Sequence, residues 1–260
     1  MRHLSALTLC ALILWLGQHP AAACPTPELL IEHMARAHGG LDAWRSMPTV
    51  RFEDEFVPAG AEAGTPSVVT VQQGSRRAYI DFPGTEMRMS WDGERAWSRN
   101  WASPYPPRFL ALLNYHFANL PWLAHDPGVV LSEFGTGNLP DDPTEYQTVK
   151  ITYESRVGDT PRDYYRLFID PETHLLKATQ YIVTYRDLLP EGADASPQNT
   201  LIYDAFETVD GLVVPTQYTI YNSAGEVYFR CAFRNWSFSA DFDEGRMAPS
   251  EQDVIDESTP

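Results

Sequence analysis

Histidine and carboxylate side chains are the residues of this sequence whose types and spacing could support chemistry. His116 and His125 are followed directly by Asp126, and together they could supply a proton-transferring imidazole with a carboxylate to orient it. No serine or cysteine in a suitable sequence context accompanies them, and phosphate-binding loops, dinucleotide fingerprints and HExxH motifs are absent from the sequence. We therefore predict no catalytic residues and no enzymatic activity.

The remaining polar clusters give little support to metal or paired-carboxylate chemistry. His33 and His38 are spaced so that they fall on different faces of a helix, which makes them poor joint ligands for one ion. Asp92 and Glu94 flank a glycine, and an Asp-Gly turn between two strands explains Asp92 without an acid–base role. We predict no metal site and no cofactor.

The N-terminus has the features of an exported protein. Residues 1–23 combine the basic Arg2, an apolar run and the small residues Ala21–Ala23, a pattern typical of a cleavable signal peptide. Cys24 follows the cleavage point, where bacterial lipoproteins are acylated, so the mature protein is either a free periplasmic protein or one anchored to a membrane. After cleavage Cys231 is the other cysteine, and a disulfide between the two would compete with lipidation.

The charge balance of the chain restricts its partners. The sequence has 35 acidic and 19 basic residues and a formal net charge of −16, which repels nucleic acid and anionic lipid surfaces. We predict no nucleic-acid partner and a monomer. Residues 24–239 are enough for one large domain, and residues 240–260, acidic and poor in large apolar side chains, are predicted to form a disordered tail.

The positions of the apolar residues predict a short helical start and then a long series of strands. Residues 26–46 are predicted to be helical, with Thr26 as N-cap and Gly39–Gly40 as a stop. Alternation of apolar and polar residues then predicts strands near 49–57, 67–73, 78–82, 86–91, 129–134, 144–153, 163–169, 175–186, 200–208, 213–222 and 226–238. Short turns between them indicate a mainly β (α+β) fold with one curved antiparallel sheet.

One hairpin can be assigned a register from the sequence. With Asp92–Gly93 as a two-residue turn, Trp91 lies opposite Glu94 and Arg88 lies opposite Trp97. This register predicts a cation–π contact between Arg88 and Trp97 on one face of the sheet.

A helical segment, residues 106–125, interrupts the strands and is apolar on most of its sides, with Pro121 predicted to break it. Such a helix is either enclosed in a core or covers something apolar. The aromatic and methionine residues around it are explained equally well by core packing and by a hydrophobic ligand cavity. For the cavity interpretation, the candidate ligand-binding residues are Ile80, Phe82, Met87, Met89, Trp91, Phe109, Leu110, Leu113, Phe117 and Trp122.

Three segments of the chain resemble the periplasmic outer-membrane lipoprotein carrier family, which has the LolA/LolB-like fold. The segment Trp91–Trp97 is similar to the family's aspartate-glycine hairpin, Phe109–Leu123 occupies the place of its helical lid, and Ile169–Lys177 is similar to its central hairpin. Ala37–Trp44 is more similar to uncharacterised relatives with this fold. The resemblance implies an unclosed antiparallel barrel of about eleven strands, with an N-terminal helix and a helical lid over an apolar interior.

The resemblance also implies a basic residue that ties the lid to the sheet. Arg76 and Arg77 occupy the comparable place here, at the start of an early strand, although Ala78 stands where the family has a proline. The leading hypothesis is a carrier or binding protein for a lipid, an acyl chain or a lipoprotein. The alternatives are an interaction or sensor module that binds envelope proteins and, with less support, an envelope hydrolase that uses the histidines.

Overall fold

The computed structural model describes residues 26–260, so the predicted signal peptide, residues 1–23, and Cys24 lie outside the described residues. Within residues 26–260, four α-helices are α1 (Pro27–Ala37), α2 (Leu41–Ser46), α3 (Pro107–Leu110) and α4 (Leu113–Leu123). Short 3-10 helices span Arg186–Leu188 and Glu244–Met247. No helix of this part of the chain has the length and apolar character needed to cross a membrane.

The strands of the described residues form one antiparallel sheet. They are β1 (Thr49–Pro58), β2 (Thr65–Gln72), β3 (Ala78–Asp81), β4 (Arg88–Trp91), β5 (Ala96–Arg99), β6 (Val129–Gly137), β7 (Tyr146–Tyr153), β8 (Tyr165–Ile169), β9 (Leu176–Tyr181), β10 (Asn199–Val209), β11 (Leu212–Tyr221), β12 (Val227–Ser237) and β13 (Val254–Ile255). Their spatial order is β13-β5-β4-β3-β2-β1-β12-β11-β10-β9-β8-β7-β6, and the edge strands β13 and β6 do not pair, so the sheet does not close on itself. The predicted fold class is confirmed, with thirteen strands between residues 26 and 260.

The N-terminal helix begins and ends as the sequence predicts. The hydroxyl of Thr26 accepts a hydrogen bond from the amide of Leu29 at 3.2 Å, which satisfies one of the free amides of the first turn. Gly39 follows the helix with φ of +101°, and a Cβ atom there would lie 2.3 Å from the carbonyl oxygen of Gly211. A side chain at position 39 would therefore separate the helix from the sheet.

Helices α3 and α4 form a helical cover over the sheet. This cover is broken at a different place from the one predicted. The break lies at Ala111 and Leu112, between α3 and α4, whereas Pro121 lies inside α4. Proline has no amide hydrogen, so the carbonyl of Phe117 loses its partner within the helix. The hydroxyl of Tyr203 donates to that carbonyl at 2.5 Å, and this bond from the sheet makes the proline tolerable in a buried helix.

The predicted register of the Asp92 hairpin is wrong. Trp91 pairs with Ala96 and Arg88 pairs with Arg99, so the connection is a four-residue turn, and the predicted contact between Arg88 and Trp97 does not form. The carboxylate of Asp92 accepts hydrogen bonds from the amides of the third and fourth turn residues, at 2.9 and 2.7 Å, and these bonds select the longer turn.

The acidic tail, residues 240–260, lies against the sheet, in contrast to the disorder that its composition predicts. Val254 pairs with Ser98, which adds β13 to the edge of β5. Acidic residues of the tail bind arginines near the sheet. Asp253 accepts a hydrogen bond from Arg99 at 3.0 Å, and Glu244 accepts one from Arg77 at 2.7 Å. A high acidic content argues for disorder only when no complementary charges face the segment, and here such charges are present.

Candidate functional site

A large apolar cavity lies between the sheet and the N-terminal part of the helical cover. Its volume is about 1080 Å3, just above the range of about 300–1,000 Å3 that is common for small-molecule sites. Its wall includes seven of the predicted ligand-binding residues: Ile80, Phe82, Met87, Phe109, Leu110, Leu113 and Phe117. Of the two interpretations left open by the sequence, a cavity therefore exists beside the packed core.

The other three predicted ligand-binding residues, Met89, Trp91 and Trp122, belong to the core and do not border this cavity. Trp122 is fully buried and stacks on Trp44, with ring centroids 5.6 Å apart and planes 6° from parallel. The guanidinium of Arg108 lies 5.2 Å from the centre of the Trp91 ring and covers that ring from the side of α3.

Part of the cavity wall comes from distant strands and is absent from the predicted set. Phe56 of β1, Tyr181 of β9, Ile220 of β11 and both Tyr228 and Phe229 of β12 line the cavity. Only the sheet order brings these strands together, since β1 pairs with β12 and β12 pairs with β11. The sequence signal for these residues is the alternation of apolar and polar positions along each strand. That alternation identifies which residues face inward, but it does not show which strands share a cavity.

A small polar network interrupts the apolar wall at one point. Asp54 of β1 is only 4% exposed, and its carboxylate accepts hydrogen bonds from the hydroxyl of Ser67 on β2 and the side-chain amide of Asn114 on α4. Tyr218 of β11 donates to the Asn114 carbonyl oxygen at 2.6 Å. The network joins the first turn of α4 to three strands, and burial raises the pKa of Asp54 to about 6.

Asp54 is also absent from the predicted set, although the sequence contains a signal for it. Along β1, Val50, Phe52, Asp54 and Phe56 share the inward phase, while residues such as Glu53 occupy the outward phase. An acidic residue in the apolar phase of a strand is a buried polar group, and such groups are common at functional sites. The alternation alone identifies Asp54 as a candidate site residue.

The C-terminal half of α4 is fixed by buried contacts rather than by the cavity. Asn119 is fully buried; its side-chain oxygen accepts from the Trp44 indole at 2.8 Å, and its amide donates to the carbonyl of Tyr115 at 2.9 Å. The hydroxyl of Tyr115 donates to Gln73 at 2.8 Å, and Gln73 in turn donates to the carbonyl of Trp44 at 3.1 Å. These bonds connect α2, α4 and the end of β2 into one rigid unit.

Arg76 and Arg77, the predicted lid contacts, have different partners. Arg76 binds both carboxylate oxygens of Asp126, just after α4, at 3.0 and 2.9 Å, and its guanidinium lies 5.7 Å from the ring centre of Trp44. Arg77 pairs with Glu244 of the tail. Of the two neighbours, Arg76 therefore contacts the helical cover, at its fixed end, and Arg77 contacts the tail.

The histidine chemistry considered for a hydrolase is not assembled in the described residues. The hydrogen bonds of Asp126 come from Arg76, while His116 is enclosed against the ring of Tyr165 with centroids 4.7 Å apart. Burial lowers the pKa of His116 to about 4, and burial is also the largest cause lowering the pKa of His125. The hydrolase hypothesis therefore gains no support from this geometry.

The two N-terminal histidines lie apart in different environments. The Nδ1 atom of His38 lies 2.8 Å from the carbonyl of Val213, and Nε2 accepts from the amide of Leu176 at 3.1 Å, so the ring bridges two strands. His33 instead packs on His174, with ring centroids 5.1 Å apart. Between residues 26 and 260, no group of His, Cys, Asp and Glu side chains forms a set that could hold a metal ion.

Cys231 is buried on β12 and forms no disulfide with any residue between 26 and 260, and burial is the main cause that raises the pKa of its thiol well above the ordinary value. Because Cys24 lies outside the described residues, its predicted lipidation and its predicted disulfide with Cys231 both stay predictions.

Comparison with solved structures defines the class of fold. The unclosed antiparallel sheet and its helices match solved structures that include a LolA superfamily protein, which confirms the predicted resemblance at the level of fold. The chain is similar to a LolA superfamily protein from Nitrosomonas europaea, with a TM-score of 0.55 and 11% identity over 87% of this chain and 99% of that one.

Two further structures support the same fold. A DUF1329 family protein from Desulfovibrio piger has a TM-score of 0.55 and 11% identity over 86% of this chain and 98% of that one. A domain described as an outer membrane lipoprotein-sorting protein from Vibrio parahaemolyticus has a TM-score of 0.51 and 6% identity over 85% and 97%. No family model and no curated protein sequence matches the chain.

Proposed function

We propose that this protein is a non-enzymatic periplasmic carrier or binding protein for a hydrophobic ligand such as a lipid, an acyl chain or the acyl part of a lipoprotein. The observation that carries the proposal is the cavity of about 1080 Å3, whose wall is mostly aliphatic and aromatic. An acyl chain that leaves water for this space gains about 25 cal/mol for each Å2 of apolar surface buried, before the costs of ordering are subtracted.

The predicted export of the protein is consistent with the proposed binding of an apolar ligand. A signal peptide at residues 1–23 would deliver the protein to an aqueous compartment between two membranes, where an apolar cargo needs shielding from water. If Cys24 is acylated, the protein is a membrane-bound acceptor; if it is not, the protein is a free shuttle. The intact mass of the mature N-terminus distinguishes these two forms.

Ligand entry in this proposal uses the break in the helical cover. Phe109, Leu110 and Leu113 border the cavity from above and are only half-buried, and the helix is interrupted at Ala111–Leu112. A rotation at this break moves α3 away from the sheet while α4 stays in place. The ligand is then covered again without any change in the core.

The test is binding of an uncharged fluorescent apolar probe, N-phenyl-1-naphthylamine, combined with mass spectrometry of lipids that copurify from a periplasmic extract. We expect saturable probe binding in the wild type and a loss of at least about tenfold in affinity for Leu113→Trp, which places a larger side chain in the cavity beneath the helices. Val130→Trp is the matched control, because Val130 is exposed on β6 and does not line the cavity. A protein that neither binds the probe nor retains lipid would refute the proposal.

A further inference from the structure

The charge inside the cavity is confined to one residue. Among the described residues that line the cavity, Asp54 is the only one with a charged side chain, and neither lysine, arginine nor histidine is among them. Asp54 forms no salt bridge with any residue between 26 and 260. A buried carboxylate without a countercharge is costly, so its presence in an apolar wall calls for an explanation.

The hydrogen bonds of Asp54 support its ionised form. Both carboxylate oxygens accept from neutral donors, the hydroxyl of Ser67 and the amide of Asn114. Tyr218 donates to the carbonyl oxygen of Asn114, and this bond keeps the amide nitrogen of Asn114 turned towards the carboxylate. The network thus orients the carboxylate but brings no positive charge to it.

We infer that the cavity selects amphiphiles whose polar end is a cationic amine, and that Asp54 is the residue that determines this specificity. The inference rests on the proposed function, because it assumes that the cavity holds a hydrophobic ligand. An ammonium group beside Asp54 supplies the missing countercharge, while its apolar chain extends along the aromatic and aliphatic wall.

The same charges disfavour anionic amphiphiles. A carboxylate or phosphate group placed near Asp54 meets a like charge, and the described residues of the wall contain no basic side chain to bind it. The formal net charge of −16 acts in the same direction outside the cavity, since it attracts cations and repels anions before they bind. The affinity for an uncharged alcohol of the same chain length should lie between those for the amine and the anion.

Selection by Asp54 depends on pH. Burial raises the pKa of Asp54 to about 6, whereas the pKa of an alkylamine is about 10, as for lysine. The other titratable groups that face Asp54 are Tyr218 and Cys231, whose pKa values are raised well above the ordinary ones, so both stay neutral. Amine affinity should therefore fall when the pH drops below about 6, while the affinity for an alcohol stays constant.

The experiment is displacement of N-phenyl-1-naphthylamine by dodecylamine, dodecanol and dodecanoate, each below its micelle concentration. At neutral pH we expect dodecylamine to bind about tenfold more tightly than dodecanol, and dodecanoate to bind most weakly. Asp54→Asn should remove the difference between amine and alcohol. Glu53→Gln is the matched control, because it removes one negative charge from the outward face of the same strand, and it should leave the preference intact.

The outcomes separate this inference from the proposed function. If dodecanol binds as tightly as dodecylamine to the wild type, or if the amine preference survives in Asp54→Asn, the specificity inference is wrong and the binding function stands. If none of the three compounds displaces the probe and the probe itself does not bind, the proposed function is wrong. The comparison of amine with alcohol in the wild type at two pH values needs no variant. It therefore tests the specificity inference even if Asp54→Asn does not fold.

Discussion

The two halves of the helical cover differ in how they are held. Every residue from Phe117 to Ala124 is buried, whereas residues 108–110 and 112–114 are only half-buried. The C-terminal half packs into the core through Trp122 and Asn119 and is bonded at its end to Arg76. The N-terminal half lies over the cavity. A cover built in this way combines a fixed base with a part that can move at low cost.

The N-terminal half is held by Asn114, in its network with Asp54 and Tyr218, and by polar contacts at its outer end. Arg108 binds both carboxylate oxygens of Asp159 at 2.6 and 2.8 Å, and its backbone amide donates to Asp256 of the tail at 2.6 Å. Such partly exposed contacts contribute far less than buried packing, because water competes for the same groups. The difference indicates that stability resides in one half of the cover and adaptability in the other.

The largest expected effect comes from truncation in the fixed half. Trp122→Ala should lower the free energy of unfolding by about 3–5 kcal/mol, because it leaves a cavity beside Trp44 and removes the aromatic stack. Leu113→Ala should cost only about 1 kcal/mol, since Leu113 already borders an empty space. Urea denaturation of both variants measures the contrast, and equal losses would contradict the division of the cover into two halves.

The next effect concerns Asp54, at the cavity side of the cover. Its pKa is about 6 in the folded protein, above the ordinary value, so its contribution to stability is present at low pH and is lost as the pH rises through about 6. Asparagine resembles the protonated form. Relative to the wild type, Asp54→Asn should therefore gain about 2–3 kcal/mol in unfolding free energy between acid and neutral pH.

Chemical denaturation of Asp54→Asn and wild type across this pH range provides the measurement, with Glu53→Gln as the control that should follow the wild type. A gain at neutral pH would mean that the carboxylate reduces stability in the unliganded protein, as expected for a residue that serves binding. A variant that is less stable than the wild type at all pH values would show that Asp54 serves mainly to hold α4 on the sheet.

A smaller effect distinguishes two neighbouring arginines. Arg76→Gln should cost about 1–2 kcal/mol, because it removes the paired bonds to Asp126 and the contact with Trp44. Arg77→Gln should cost at most about 0.5 kcal/mol, because its partner Glu244 is exposed. Thermal unfolding of the two variants under one set of conditions tests the ranking, which would be wrong if Arg77→Gln proved the more damaging.

Most of the fold could be predicted from local patterns. Alternation locates the strands, Thr26 and Gly39 bound the first helix, and Asp170 begins the turn between β8 and β9 by accepting from the amides of Glu172 and Thr173. The register at Asp92 could not be predicted, because two side-chain hydrogen bonds choose between a two-residue and a four-residue turn. The ordered tail depends on arginines far away in the sequence, such as Arg99, which composition does not reveal.

The residues of the candidate site also include some that local sequence patterns predict and some that they do not. The wall residues that could be predicted come from the continuous stretch between Ile80 and Phe117, where apolar residues are dense. Trp122 belongs to that stretch too, but its place in the core depends on a partner, Trp44, that only the packing of α2 against α4 brings close. Asp54 could be found only as a single acidic residue in the apolar phase of its strand, and its role depends on neighbours that three other elements supply.

A smaller effect than that of Arg76→Gln tests the movable half directly. Asp159→Asn weakens the outer contact of α3 with Arg108 and should lower the unfolding free energy by only about 0.5–1 kcal/mol, since both side chains are partly exposed. Because α3 covers the cavity, the same change should increase the dissociation rate of N-phenyl-1-naphthylamine about threefold to tenfold, measured by stopped-flow fluorescence. Arg77→Gln, which removes a similar ion pair away from the cover, is the control and should leave this rate unchanged. If Asp159→Asn also leaves the rate unchanged, ligands leave by a route that does not require α3 to move.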